Sequence, residues 1–128
     1  MLRGMTLGHL ALAAAILTWV MLMTSSMLRT KGDLRLGTGN RDALPEPTPL
    51  AARADRAAKN MLENLVLFGV ILLAVSGGNL ARATLGAEIF LAARVVYWLI
   101  YLAGIPGLRT VVWAVSVVGL GIMACAGI

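Results

Sequence analysis

ATLGAEIFLAARVVYWLIYLA, residues 83–103, has the length and apolarity of a membrane-spanning helix interrupted by Glu88 and Arg94. Tyr97 and Tyr101 follow Arg94 at i+3 and i+7, so the three share one helical face. A guanidinium is not deprotonated in proteins, and at membrane depth it costs on the order of 3 kcal/mol by insertion scales. It therefore needs a partner inside the bundle. The preceding apolar segment supplies Glu63, and the expected pairing of Glu63 with Arg94 points to a polar site between membrane helices.

Working outward, three more apolar stretches approach the roughly 20 residues that a bilayer core requires. They run from about residue 6 to 28, from about 60 to 78, and from 108 to 128. The first carries no charge, the second holds Glu63, and the fourth is charged only at Arg109. Arg3 ahead of the first stretch is what a signal peptide would show, but the apolar run is long for one and Met21–Ser26 is a weak cleavage site. The stretch is read as a span.

Composition agrees. The chain has 128 residues, 59% hydrophobic and 13% charged, with a mean hydropathy of +0.86. Soluble domains are about a quarter charged, and a core this small cannot hide so much apolar surface. One integral membrane domain over 1–128 is implied, with the lipid bilayer as its solvent. Cys125 is the one cysteine. That excludes an intrachain disulfide and a cysteine-based metal cluster, and its apolar neighbours predict a buried, inert thiol. His9 stands alone, so no metal site is expected, and an interfacial place suits it. The net charge of +5 is not a nucleic-acid signature, because the basic residues form no exposed run with interleaved aromatics.

The connections set the topology. Residues 29–55 form one long polar loop with Pro45, Pro47 and Pro49, which disfavour helix. The other two connections are short, around Ser76–Asn79 and Gly104–Gly107. Short turns make neighbours antiparallel, so the chain reads as an all-α, up-down four-helix bundle. Arg29, Lys31, Arg35, Arg41, Arg53, Arg56 and Lys59 lie in or beside the long loop, whereas the opposite side has Arg3 and Arg82. The positive-inside rule then puts the loop in the cytoplasm and both termini outside. Arg56, Lys59, Asn60 and Glu63 thereby share a leaflet with Tyr97, Tyr101 and Arg109.

Arg56, Lys59, Asn60 and Glu63 are spaced i, i+3, i+4 and i+7, one stripe along a helix. Such a stripe suits a small zwitterionic peptide: carboxylates for Arg56 and Lys59, an ammonium for Glu63, amides for Asn60 and the tyrosine hydroxyls. Each residue also has a plainer reading. Glu63 and Arg94 would simply pin two helices, Arg56 and Lys59 would snorkel to headgroups, and Tyr97, Tyr101, Trp98 and Trp113 would form an aromatic belt. Glu88 has Arg82 or a neighbouring subunit as candidate partners. Ala11 with Ala15, and Gly119 with Gly121, permit close helix packing.

The segment RAAKNMLE, residues 56–63, resembles the second-helix signature of the MAPEG family, the membrane-associated proteins in eicosanoid and glutathione metabolism. FLAARVVYWLIY, residues 90–101, resembles that family's next signature, and GTGNRD, residues 37–42, is similar to the loop of bacterial members. The resemblance implies a homotrimer, with glutathione bound in a cytoplasm-facing site between adjacent subunits, in a bacterial inner membrane. It carries glutathione-binding roles onto Arg56, Lys59, Asn60, Glu63, Arg94, Tyr97, Tyr101 and Thr110. Arg109 matches the arginine thought to activate the glutathione thiol. Arg29 or Arg35 matches a further arginine after the first helix.

Ala58 departs from a frequent histidine of the family, Trp113 from a tyrosine of its prostaglandin branch, and the Tyr101-to-Arg109 spacing from both eicosanoid branches. The resemblance thus implies thiolate chemistry on a hydrophobic small-molecule electrophile or hydroperoxide without naming it. Three other readings stay open. One is a non-catalytic, lipid-binding scaffold of the same family, and another is a purely structural bundle. The third is a small multidrug transporter, which would need an acid in its first helix that this chain lacks.

Overall fold

The computed structural model describes residues 3–128. Its helices are α1 (Leu7–Arg29), the short α2 (Leu34–Thr38), α3 (Pro49–Ala74), α4 (Leu80–Ala103) and α5 (Pro106–Ala124), closed by a 3₁₀ turn at Cys125–Gly127. Four of these are long and apolar enough to cross a membrane, counting the 3₁₀ turn with α5. No strand occurs among the described residues. The protein is an integral, multi-pass four-helix membrane bundle, as the hydropathy pattern predicts.

Helix limits follow from local chemistry. Thr6 caps α1, its hydroxyl accepting from the His9 amide at 3.2 Å, while the His9 ring accepts from the Thr6 amide at 3.2 Å. His9 is therefore part of the helix cap. Gly104 ends α4 at φ +77°, a left-handed value that glycine adopts without strain, and Pro106 opens α5 where its missing N–H is not needed.

The largest departure from the sequence reading is the start of α3. Residues 49–55, read as the end of the loop, are helix. The helix begins at Pro49, where proline takes the first helical position and the Thr48 hydroxyl accepts from the Ala51 amide at 3.1 Å. Hydropathy missed these residues because they are amphipathic. Ala51, Ala54, Ala57 and Ala58 are buried while Arg53, Asp55 and Arg56 between them keep part of their surface open. Thr48→Ala is expected to cost about 1 kcal/mol, measurable as a lower denaturation midpoint in detergent with the fold unchanged. Only Pro45 and Pro47 lie in extended chain, where the Arg29 guanidinium donates to the Pro45 carbonyl.

The core runs along the bundle axis. Phe68 of α3 stacks on Phe90 of α4 with ring centroids 5.1 Å apart, and Leu10, Met21, Met61 and Met123 are fully buried around them. The tightest packing joins α4 to α5. At their crossing, a Cβ on Gly86 would sit 2.5 Å from the Met123 amide nitrogen, and one on Gly119 would sit 2.7 Å from that of Phe90. Gly121, paired with Gly119 in the sequence reading, faces open space instead. The outward side of α3 exposes Leu62, Val66, Leu67, Val70 and Leu73, an apolar surface that only lipid or another membrane helix can cover. Cys125, expected to be buried, is exposed on the terminal turn. In a membrane bundle an apolar neighbourhood marks outward faces as readily as inward ones.

Candidate functional site

The end of the bundle where α3 begins, α4 ends and α5 begins gathers most of the predicted residues. Arg56 Nε donates to the Tyr101 hydroxyl at 3.2 Å. The Arg109 guanidinium lies over the Tyr101 ring, 4.4 Å from its centroid, and Tyr101 meets Tyr97 edge-on at 5.5 Å. Tyr101 thus couples cations from two helices through its hydroxyl and its π face. Nearby, Arg53 Nε donates to the Leu102 carbonyl at 3.2 Å and ties the first turns of α3 to the last turn of α4.

Two concavities open here. A cleft of about 220 Å³ is lined by Asn60, Tyr97, Arg109, Thr110 and Trp113. A recess of about 320 Å³ is lined by Arg29, Pro47, Ala51, Ala52, Asp55, Arg56 and Lys59. Arg29, the last residue of α1, lines this recess. Arg35 lies exposed on α2. Trp113 enters as a lining residue of the cleft.

The stripe on α3 resolves into two rows. Arg56, Asn60 and Asn64, each four residues apart, face α4 and α5. Lys59 and Glu63 point outward. Lys59 forms an ion pair with Asp55 at 2.8 Å, and Glu63 is exposed.

The expected Glu63–Arg94 pair does not form. Arg94 is fully buried and faces the other row, where its Nη2 donates to Asn60 Oδ1 at 2.8 Å. Its guanidinium also lies 4.2 Å from the Tyr97 ring centroid. Arg94 Nε and Nη1 find no acceptor among the described residues. With no exposed surface, Arg94 reaches the cleft only through Asn60 and Tyr97, not by direct contact with a bound molecule. The opposite end of the bundle differs in kind. Arg82 donates to the Cys125 carbonyl at 3.2 Å, and Glu88 lies on the wall of a largely apolar cavity of about 780 Å³.

The family model described as MAPEG matches residues 7–128. The chain belongs to the MAPEG family. No curated protein and no solved structure matched it in comparison. MAPEG membership covers all four long helices and both concavities, so the arginines, tyrosines and asparagine around them belong to a membrane protein of the glutathione and eicosanoid metabolism family.

Two further polar residues stand behind these concavities without lining them, Asn64 and Arg53. Asn64 continues the four-residue row from Arg56 through Asn60, a signal that was present but lay one turn deeper than the apolar pattern suggested. Arg53 had only its charge to mark it, and that charge read as a topology signal.

Chemically, the cleft is rich in donors. The Thr110 hydroxyl is turned to the Pro106 carbonyl at 3.3 Å, while the Arg109 guanidinium and the Trp113 indole carry only N–H groups. Such a wall favours an anionic or carbonyl-bearing guest.

Proposed function

We propose that the protein binds glutathione at this end of the bundle and presents its thiol, as a thiolate, to a hydrophobic electrophile or lipid hydroperoxide arriving through the bilayer. The single observation behind this reading is that Asn60, Tyr97 and Arg109, from three helices of a MAPEG chain, line one donor-rich cleft, with Tyr101 stacked against Arg109 and hydrogen-bonded to Arg56 of the neighbouring recess. Arg56 and Arg109 match the carboxylate and thiolate charges of the peptide, and Thr110 and Lys59 stand at the edges of the two concavities. When bound, the thiolate sulfur attacks an electrophilic carbon and expels its leaving group. With a hydroperoxide, it takes the terminal oxygen as a sulfenic acid, the alkoxide leaves and is protonated to an alcohol, and a second glutathione thiol displaces that oxygen as water to give the disulfide.

Glu63 supports a site shared between subunits. It stands near the start of the apolar span that opens at about residue 60, and is exposed beside Leu62, Val66 and Leu67. A carboxylate at that depth is costly against lipid. A neighbouring copy, with the ligand's ammonium between them, would cover it, which agrees with the homotrimer that the family resemblance implies. In this reading the site faces the cytoplasm of a bacterial inner membrane, and the termini face outward.

Calorimetry of glutathione with the detergent-purified protein tests the proposal. Saturable binding is expected, weakened at least about tenfold in both Glu63→Gln and Arg56→Ala, since a hydrogen bond to a charged group contributes about 1.5–3 kcal/mol. Absence of binding by the unaltered protein would overturn it in favour of a non-catalytic scaffold.

A further inference from the structure

Asn60 sits between the buried interior and the cleft, and its carboxamide has two unlike ends. Its Oδ1 accepts from Arg94 Nη2 at 2.8 Å and, more weakly, from Asn64 Nδ2 at 3.4 Å. Asn64 is itself buried, and its Nδ2 also donates to the Asn60 backbone carbonyl at 2.8 Å. A carboxamide oxygen has two lone pairs, and both directions are used here. The NH₂ end has no partner in these contacts, and Asn60 lines the cleft beside Tyr97, Arg109, Thr110 and Trp113.

We propose that Arg94 and Asn64 are positioning residues that hold the Asn60 carboxamide with its oxygen inward, so that its NH₂ faces the cleft and selects a hydrogen-bond acceptor there. Reversing the amide would set two N–H donors against a buried guanidinium whose Nε and Nη1 already lack acceptors. Arg94 would then be a cation without any hydrogen-bond acceptor in a space sealed from solvent, which is strongly unfavourable. The lock therefore has one favoured setting. It also gives the buried arginine a purpose that a helix-pinning ion pair would not: it reads out at the cleft surface as a fixed donor.

The consequence is specificity. With the Asn60 NH₂, the Arg109 guanidinium and the Trp113 indole all donating, the cleft takes a carboxylate, carbonyl or thiolate and rejects a guest that offers donors at the same point. Leaving a site's polar groups unpaired is a strong basis for such rejection. The identity of the guest as glutathione rests on the function proposed above; the orientation of Asn60 does not.

The chain has four asparagines, Asn40, Asn60, Asn64 and Asn79, so protein labelled with ¹⁵N-asparagine shows four side-chain NH₂ groups, assignable by Asn60→Asp and Asn64→Leu. Without ligand, the Asn60 NH₂ is expected to exchange with water at least about a hundredfold faster than that of Asn64, which is held in the interior. Equal rates, or the reverse order, would overturn the proposal. Arg94→Met is expected to release Asn60 and broaden its resonances, while Arg94→Lys, which keeps a cation, is expected to preserve them. Should Arg94→Met fail to fold, the exchange order in the unaltered protein still decides.

Asn60→Asp supplies the second arm, because it keeps an acceptor for Arg94 while it turns the donor facing the cleft into a negatively charged acceptor. Glutathione affinity is expected to fall at least about tenfold. Unchanged affinity would mean that the oxygen faces the guest and the proposal is wrong. Failure of the unaltered protein to bind glutathione, together with the expected exchange order, would sink the glutathione reading and leave the locked carboxamide standing.

Discussion

Glutathione bound to Arg109→Ala is expected to titrate at a higher pH than in the unaltered protein, by about one unit or more. An ordinary thiol has a pKa of about 8.5, and an adjacent cation lowers it by favouring the thiolate. Arg109 is well placed for this. It stands in the first turn of α5, partly buried, with its guanidinium held over the Tyr101 ring at 4.4 Å. The positive end of the α5 dipole points the same way. Each unit of depression corresponds to about 1.4 kcal/mol and to nearly tenfold more thiolate at pH 7. The sign follows directly. Thiolate is present above the bound pKa, so removing the cation moves the midpoint up. The variant should then hold about a tenth of the thiolate at pH 7 and match the unaltered protein above about pH 9.5.

Ultraviolet absorbance of the bound thiolate, followed against pH, measures this without knowledge of the second substrate. Conjugation of a soluble electrophile at saturating glutathione should fall in parallel. Arg109→Lys should lie between the two, because it keeps a charge and loses the planar stack on Tyr101. Coincident titration curves for Arg109→Ala and the unaltered protein would remove Arg109 from the activation of the thiol.

That Arg109, Tyr101 and Arg56 belong together was legible in the sequence. Charge asymmetry and turn length fixed which helix ends lie on the same side, and three short-range facts sufficed: a basic loop, a tight turn at Gly104–Gly107, and antiparallel neighbours. What was not legible is which row of α3 faces which helix. The spacing of Arg56, Lys59, Asn60 and Glu63 is compatible with one face, but a helix turns 100° per residue, and the i+3 and i+4 rows diverge over two turns. Packing of Ala54, Ala57, Ala58 and Met61 into the core decides the rotation.

That rotation sends Glu63 outward and brings Asn60 and Asn64 to Arg94. Opposite charges in adjacent spans made Glu63 the natural partner on electrostatic grounds, and steric packing overrode it. The same cause hid the start of α3, since hydropathy registers lipid contact and is blind to a helix that continues beyond the membrane on an alanine seam.

The second large effect is expected at the α4–α5 crossing, where helix propensity and packing oppose each other. Replacing a helical glycine with alanine favours the helix by up to about 1 kcal/mol through backbone entropy alone. At Gly121 nothing lies within reach of an added Cβ, so Gly121→Ala is expected to be neutral or slightly stabilising. At Gly119 the added Cβ would lie 2.7 Å from the Phe90 amide nitrogen and 2.8 Å from the Gly86 carbonyl oxygen. These are backbone atoms of α4 and cannot rotate away. Relief requires the helix axes to separate, and overpacking of this kind costs about 1–3 kcal/mol, occasionally more. Packing therefore wins, and Gly119→Ala destabilises while Gly121→Ala does not. Gly119→Leu multiplies the overlap and should prevent the native crossing altogether.

The effect reaches the site because α4 carries Tyr97 and Tyr101 while α5 carries Arg109, 10 residues from the crossing and about 15 Å along the axis. Helices splayed at Gly119 cannot keep the 4.4 Å stack of Arg109 on Tyr101. Thermal denaturation in detergent, followed by tryptophan fluorescence, is expected to rank Gly121→Ala at or above the unaltered protein, Gly119→Ala clearly below it, and Gly119→Leu without a cooperative transition. Gly86→Ala, whose Cβ would meet the Met123 amide nitrogen at 2.5 Å and the Gly119 carbonyl oxygen at 2.6 Å, should fall beside Gly119→Ala. Equal midpoints for Gly119→Ala and Gly121→Ala would mean that the two helices do not approach this closely, and the placement of Arg109 against Tyr101 would lose its structural support.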